Sequence, residues 1–262
     1  MENTFQYKNI DVSYQVFGKG RAVVLLHGFL ENKTMWKTVS YEVSKKYKVI
    51  AIDLLGHGST ESLGYVHTME DQAEMVKAVL NNLKLRKYAI IGHSMGGYIS
   101  LAFAKKFPQN IKGLCLMNSS ALPDSLEKVK NRNRAIKAVK ENYKTFVRVA
   151  VPMLFSEENR TKLKSEVKKV TAEALKLTPQ GIIAALEGMK IRKDQTKILH
   201  DANFPMQMII GKQDPALDYN SLIEQIKNTN VEVVEFEDGH MSHIENTTEL
   251  IEAFKAFLKK CF

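Results

Sequence analysis

Residues 89–100 read AIIGHSMGGYIS and set Ser94 between Gly92 and Gly96, directly after an apolar, β-favouring run. A serine hydroxyl is a poor nucleophile at neutral pH; it becomes a useful one when an imidazole takes its proton and a carboxylate orients that imidazole. The G-x-S-x-G spacing suits this chemistry for a steric reason. A sharp turn from a strand at 88–91 into a helix starting near Met95 strains the serine backbone and leaves no room for side chains at the flanking positions. Gly92 and Gly96 leave that room, and Ser94 Oγ is held near a helix N-terminus whose first N–H groups lack partners. Taken alone, the pattern also fits a plain glycine-rich helix start. Seven histidines compete for the role of base. His27, His57 and His93 lie in glycine-bounded turns, where a packed or hydrogen-bonded ring explains them equally well. His67 and His200 have no supporting context, whereas His240 and His243 follow a late β-type run and precede the last helical stretch.

Those side chains need a scaffold that brings distant segments together. Short β-type runs at 21–26, 47–52, 88–91, 113–117, 206–210 and 231–236 alternate with helical periodicity near 34–44, 68–83, 95–107, 219–227 and 246–260. Most of the runs are apolar almost throughout, as strands covered on both faces are. Strand alternating with helix predicts an α/β fold, a mostly parallel central sheet flanked by helices. The opening segment, 5–17 with a Gly18-Lys19-Gly20 turn, reads as an antiparallel hairpin at the sheet edge. Between 120 and 200 no strand is legible, only amphipathic lysine-rich helix with Thr178-Pro179 as a helix start. The expected organisation is a core of 1–119 and 201–262 interrupted by a helical cap insertion at 120–200.

Composition narrows the class further. The chain has 262 residues, 44% hydrophobic and 26% charged, enough for a sizeable core. Its first residues lack a leader pattern and no run is long and apolar enough for a span, so a cytoplasmic protein without membrane attachment is expected. Cys115 and Cys261 are far apart, in no C-x-x-C spacing, and Cys115 within GLCLM reads as a small core residue. No His-x-x-x-His helix, carboxylate cluster or G-x-G-x-x-G or Walker loop is present, so neither metal nor cofactor is expected.

Four motifs, Leu26-His27-Gly28-Phe29, Asp53-Leu54-Leu55-Gly56-His57-Gly58-Ser59, Gly92-His93-Ser94-Met95-Gly96-Gly97 and Gly239-His240, resemble the α/β-hydrolase superfamily in order and spacing. The resemblance covers nearly the full length and implies a serine nucleophile, an acid after a late strand and a histidine near the C-terminus. It points to Ser94 as nucleophile and to His240 as base, with His243 the rival. Asp214, in the turn Gly211-Lys212-Gln213-Asp214-Pro215, matches the acid, with Asp218 the fallback and a turn or helix-cap role open for either. The backbone N–H groups of Phe29 and Met95 fit an oxyanion hole. The stretch 53–59 reads as a structural turn, and Trp36 as helix packing.

The resulting expectation is a cofactor-independent serine hydrolase, a carboxylesterase acting on small acyl esters. Carbon–carbon bond, lactone or thioester hydrolysis is the alternative, as is a small-molecule receptor retaining the triad, because fold and triad do not separate these. Serine at 94 argues against the dehalogenases and epoxide hydrolases, which carry aspartate there. The partner expected is a small acyl substrate, with no nucleic acid; the sequence is silent on oligomeric state. The formal net charge is +9, and all of this excess lies in 120–200, with 18 Lys and Arg against 9 Asp and Glu. Clustered at a pocket mouth, that charge would steer anionic substrates; dispersed, it would only solubilise. Val149, Leu154, Ile182, Ile183, Leu186 and Met189 recur at helical spacing as candidate pocket lining.

Overall fold

The computed structural model describes residues 2–262. Eight strands form one sheet: β1 (Glu2–Tyr7), β2 (Ile10–Phe17), β3 (Ala22–Leu26), β4 (Lys48–Ile52), β5 (Tyr88–His93), β6 (Ile111–Met117), β7 (Met206–Gly211) and β8 (Glu232–Phe236). Their order across the sheet is β1-β2-β4-β3-β5-β6-β7-β8. β2 pairs antiparallel with β1 and β4, and every pairing from β4 through β8 is parallel. An antiparallel hairpin does sit at the edge, but its turn is Lys8-Asn9, with Lys8 at φ 52°, and not Gly18-Lys19-Gly20. The glycine turn instead carries the chain from β2 to β3.

The helices follow as α1 (Lys37–Val43), α2 (Met69–Asn82), α3 (Met95–Lys106), α4 (Leu126–Ala150), α5 (Glu157–Lys162), α6 (Lys164–Ala174), α7 (Pro179–Lys190), α8 (Thr196–Asp201), α9 (Tyr219–Ile226), α10 (Ser242–Glu245) and α11 (Thr247–Cys261). Side-chain alternation along the strands divides the core in two. Val24, Leu26, Ile90, Leu116 and Ile210 pack with α2, α3 and α9, while Val23, Leu25, Ile91, Cys115 and Ile209 pack with α1 and α11. Each fully buried aliphatic or aromatic side chain contributes roughly 1.5–3 kcal/mol, which is why the strands are apolar on both faces. Trp36 is fully buried, against Phe254 and His243.

Helices α4 to α8 occupy the chain between β6 and β7. α7 starts as the sequence predicts: the Thr178 side chain accepts from Gly181 N–H and Pro179 takes the first turn, where its missing N–H costs nothing. This helix lies directly on the 56–67 loop. A Cβ at Gly181 would stand 2.3 Å from the Gly56 carbonyl oxygen, and one at Gly188 would stand 1.7 Å from that of His67. His67 N–H donates to Ala184 O at 2.9 Å, and the Gln180 amide donates to Gly64 O at 3.3 Å. Among the described residues no helix is long and apolar enough to cross a membrane.

Candidate active site

In a sheet of this topology the loops beyond the carboxyl ends of the strands converge on a crevice. Ser94 follows β5, and its backbone takes φ 49°, ψ −113°, a region that costs a non-glycine residue about 1–3 kcal/mol. Neighbouring close contacts hold it there. A Cβ at Gly92 would meet Gly96 O at 2.3 Å, and one at Gly96 would meet Leu26 O at 2.3 Å and His27 O at 2.7 Å. Ser94 N–H donates to Met117 O at 2.9 Å, and Ser119 Oγ donates to Ser94 O at 2.8 Å. The elbow is thus pinned on both sides.

Asp214 follows β7 and His240 follows β8, 26 residues later, and they meet: His240 Nδ1 lies 2.7 Å from Asp214 Oδ2. Burial works to raise the Asp214 carboxyl, but His240, the Ala216 N–H and the Asn118 amide outweigh it and hold the group below its ordinary value. The acid is therefore ionised and keeps the proton of His240 on Nδ1, leaving Nε2 as an acceptor. Asp218 is elsewhere occupied as the N-cap of α9, accepting from Ser221 N–H at 2.7 Å. His243 is buried away from the cavity that Ser94 and His240 line, and burial pushes it down to about 4.

That cavity is about 300 Å³ and mostly apolar. Phe29, Leu217, Leu154, Leu186 and Met189 are among its walls. The Phe29 N–H, and the Met95 N–H that opens α3, find no acceptor among the described residues. Of the six candidate lining residues, Leu154, Leu186 and Met189 reach the cavity. Val149 is 62% exposed, Ile182 is buried in the core and Ile183 packs beside it. Phe146 and Ala150 line the cavity instead of Val149. Phe146 and Ala150 fall on the same face of α4 as Lys128, Arg132 and Ala135, and Val149 lies off that face.

Residues 21–247 match the alpha/beta hydrolase fold family. The chain belongs to that family. It is similar to an esterase of Thermogutta terrifontis, at 28% identity and TM-score 0.90 over 100% of this chain and 99% of that one. A monoacylglycerol lipase of Homo sapiens is 27% identical over 266 residues, 91% of this chain and 76% of the lipase. An uncharacterized Mycobacterium tuberculosis protein is 32% identical over 110 residues, 42% of this chain, and the match spans only 32% of that protein's length. An esterase and a lipase are thus among the proteins this chain resembles.

Beneath the triad candidates this α/β hydrolase carries a polar network that the sequence reading missed. Glu31, 5% exposed, accepts from Gly28 N–H at 2.9 Å and faces His93 Nδ1 at 2.7 Å. The other nitrogen of His93 faces the carbonyl oxygen of His240 at 2.9 Å. Both partners are acceptors, so the ring satisfies both only with a proton on each nitrogen. Burial opposes that charge, but Glu31 and the His240 carbonyl overcome it, and His93 titrates above its ordinary value. Burial would likewise raise Glu31, yet His93 and His243 bring it down to about 2. One buried ion pair thereby ties the Gly28-Phe29 loop, the elbow and the backbone of His240 together. Asn118 plays a similar part for the acid: its amide donates to Asp214 Oδ2 at 3.2 Å and Gly239 O at 3.1 Å, while its Oδ1 accepts from Ser242 at 2.8 Å. A carboxylate three residues past Gly28 in an otherwise apolar loop, and an asparagine closing GLCLM, were the available sequence signals.

His27 and His57 are structural. His27 Nε2 accepts from Leu54 N–H at 2.9 Å, and its Nδ1 lies 2.8 Å from Gly28 O. His57 Nδ1 lies 3.0 Å from Leu55 O. Asp53, buried, pairs with Lys33 Nζ at 2.6 Å and accepts from Ser59 N–H at 2.8 Å, which fixes the 53–59 turn.

Proposed function

We propose that this chain is a cofactor-independent serine carboxylesterase that cleaves small acyl esters through Ser94, His240 and Asp214, beneath a helical cap of residues 120–200. The observation that carries the reading is the 2.7 Å His240–Asp214 contact at the wall of the cavity that also receives Ser94. Ser94 Oγ attacks the ester carbonyl as His240 Nε2 takes its proton, and Asp214 stabilises the imidazolium that results. The Phe29 and Met95 N–H groups donate to the oxyanion. His240 then returns the proton to the departing alcohol, and a water activated by the same histidine releases the acid. The Thermogutta esterase and the human lipase support an ester as substrate.

The test is fluorophosphonate labelling with peptide mapping, alongside turnover of a panel of esters, thioesters, lactones and diketones. The adduct is expected on Ser94, with Ser94→Ala abolishing it and lowering kcat on the order of a million-fold. A Ser94→Ala protein that folds and retains most of its esterase rate would refute the mechanism.

A further inference from the structure

The esterase reading leaves open what the rest of the substrate carries, and the charge lining the cavity bears on it. α4 presents Lys128, Asn131, Arg132 and Ala135 to the cavity, spaced i, i+3, i+4 and i+7, hence along one helical face. Among the described residues no carboxylate lines this cavity, and its titratable groups are His93, His240, Tyr98, Lys128 and Arg132.

The cap's positive charge separates into two populations. Lys137, Lys162, Lys169, Lys176 and Lys197 are exposed and pair with a carboxylate three or four residues away in sequence. They are solubilising charges of little energetic weight. Lys128, like Lys130, Lys140, Lys164, Lys168 and Lys193, has no ion-pair or hydrogen-bond partner for its ammonium among the described residues, but of these only Lys128 lines the cavity. Arg132 is only half compensated: Asp124, its carboxylate buried, is shared between Arg132 and Arg192. Asn131 Oδ1 accepts from Arg134 at 3.0 Å, which leaves its amide N–H groups as donors. An apolar chamber with the nucleophile at its wall thus has one uncompensated ammonium, a partly compensated guanidinium and a free amide donor on α4.

Resting on the esterase reading, we propose that Lys128, supported by Arg132 and Asn131, forms a carboxylate-binding subsite, so that the preferred substrates are esters ending in a carboxylate beyond a short apolar segment. A monoanion fits this site better than a phosphate dianion. The Arg132 fork is already engaged by Asp124, so one full positive charge and an amide donor remain to meet the ligand.

The experiment compares mono-p-nitrophenyl adipate with p-nitrophenyl hexanoate, which match in length and differ in the terminal charge. kcat/KM is measured at low and high ionic strength for wild type, Lys128→Met and the exposed control Lys130→Met. Wild type is expected to favour the adipate ester by about tenfold at low salt, with the preference shrinking as salt rises. Lys128→Met is expected to lose that preference, the adipate-to-hexanoate ratio of kcat/KM falling to about one through the KM of the adipate ester, and Lys130→Met to keep it. Hexanoate hydrolysed as well as the adipate ester, or a Lys128→Met loss equal for both, overturns the subsite and leaves the esterase reading standing. Calorimetric binding of monomethyl and dimethyl adipate to the Ser94→Ala protein reads the subsite even if neither ester is turned over. Tighter binding of the monoanion that Lys128→Met abolishes supports the proposal, and equal binding of the two rejects it.

Discussion

Glu31 and His93 form a buried ion pair 2.7 Å apart, directly behind His240, whose ring centroid lies 5.0 Å from that of His93. His27, His243 and Asp214 are the other titratable groups acting on the pair, and His240 acts on it through its backbone carbonyl. With Glu31→Gln the carboxylate that holds His93 protonated is gone, and the ring titrates at lower pH. The His240 carbonyl then accepts from a neutral imidazole N–H, with Nδ1 accepting from the introduced side-chain amide, in place of the stronger imidazolium donor. The expected result is a kcat on the order of tenfold lower, KM little changed, and activity lost toward alkaline pH sooner than in wild type. Nitrogen-15 spectra of the wild-type imidazoles should show His93 carrying two protons at pH 7. A Glu31→Gln enzyme with wild-type kcat and pH profile would show that the pair has only a packing role.

The proposed acid and base are separable from their neighbours by mutation. His240→Ala and Asp214→Asn should each lose several orders of magnitude in kcat. Asp218→Asn keeps a helix cap and should cost well under 1 kcal/mol in stability and nothing in turnover. His243→Ala removes a buried ring beside Trp36 and Glu31, so its effect should appear mainly in urea denaturation. The reverse ranking in single-turnover assays would reassign both roles.

The elbow glycines make a steric prediction. The atoms that a Cβ at Gly96 would strike are backbone oxygens of Leu26 and His27, which have no rotamer to escape into. Gly96→Ala should therefore cost about 3 kcal/mol or more, or abolish folding. Gly64 supplies the contrast, since a Cβ there meets nothing within 4 Å and only its φ of +79° resists. Gly64→Ala should cost roughly 1 kcal/mol. Equal melting temperatures for the two variants would contradict the packing described for the turn.

Acid should destabilise the fold before any carboxylate titrates. Burial holds His57 at about 3 and His67 and His243 at about 4. An unfolded imidazole titrates near ~6.5, so below that pH the unfolded chain takes up protons that the folded chain refuses. Stability is full above ~6.5 and falls as pH drops toward 4, by about 1.4 kcal/mol per pH unit for each such histidine. Glu31 adds a second loss, from its unfolded value near ~4.3 down to its folded value of about 2. His93 has the opposite sign: its contribution is complete below ~6.5 and is lost as pH rises through its elevated folded value. The urea midpoint should therefore drop between pH 7 and 5; a constant midpoint across that range would mean these rings are protonated in the fold.

What the sequence revealed divides along physical lines. The elbow was legible because glycines flanking Ser94 answer a local steric demand, and the apolar strands because both faces are covered. Thr178-Pro179 was legible because a cap acts within one turn. The Glu31–His93 pair was not, since its members are 62 residues apart. They meet because the parallel register sets Leu26 beside Gly92, bringing the loops after β3 and β5 together. The hairpin turn was misplaced because Gly18-Lys19-Gly20 is the stronger turn signal, while Lys8 adopts positive φ without being glycine. Val149 was misassigned because helical spacing does not say which face of a helix turns inward: the inward face of α4 carries Phe146 and Ala150, and Val149 lies off it.

The glycines of α7 determine where the molecule can breathe. At Gly181 and Gly188 peptide planes of the proposed cap rest directly on peptide planes of the 56–67 loop, with the Gln180 amide adding a hydrogen bond to Gly64 O. The 154–156 segment is moored in the same way, through Leu154 O to His240 N–H at 3.0 Å. α4 runs between these moorings, interrupted at Asn142 and held to α7 partly by side chains, such as Lys190 Nζ on Asn133 at 2.9 Å. A doorway framed by two fixed jambs can hinge only on the panel between them. Solutes would then pass along α4, whose cavity face carries the ammonium of Lys128.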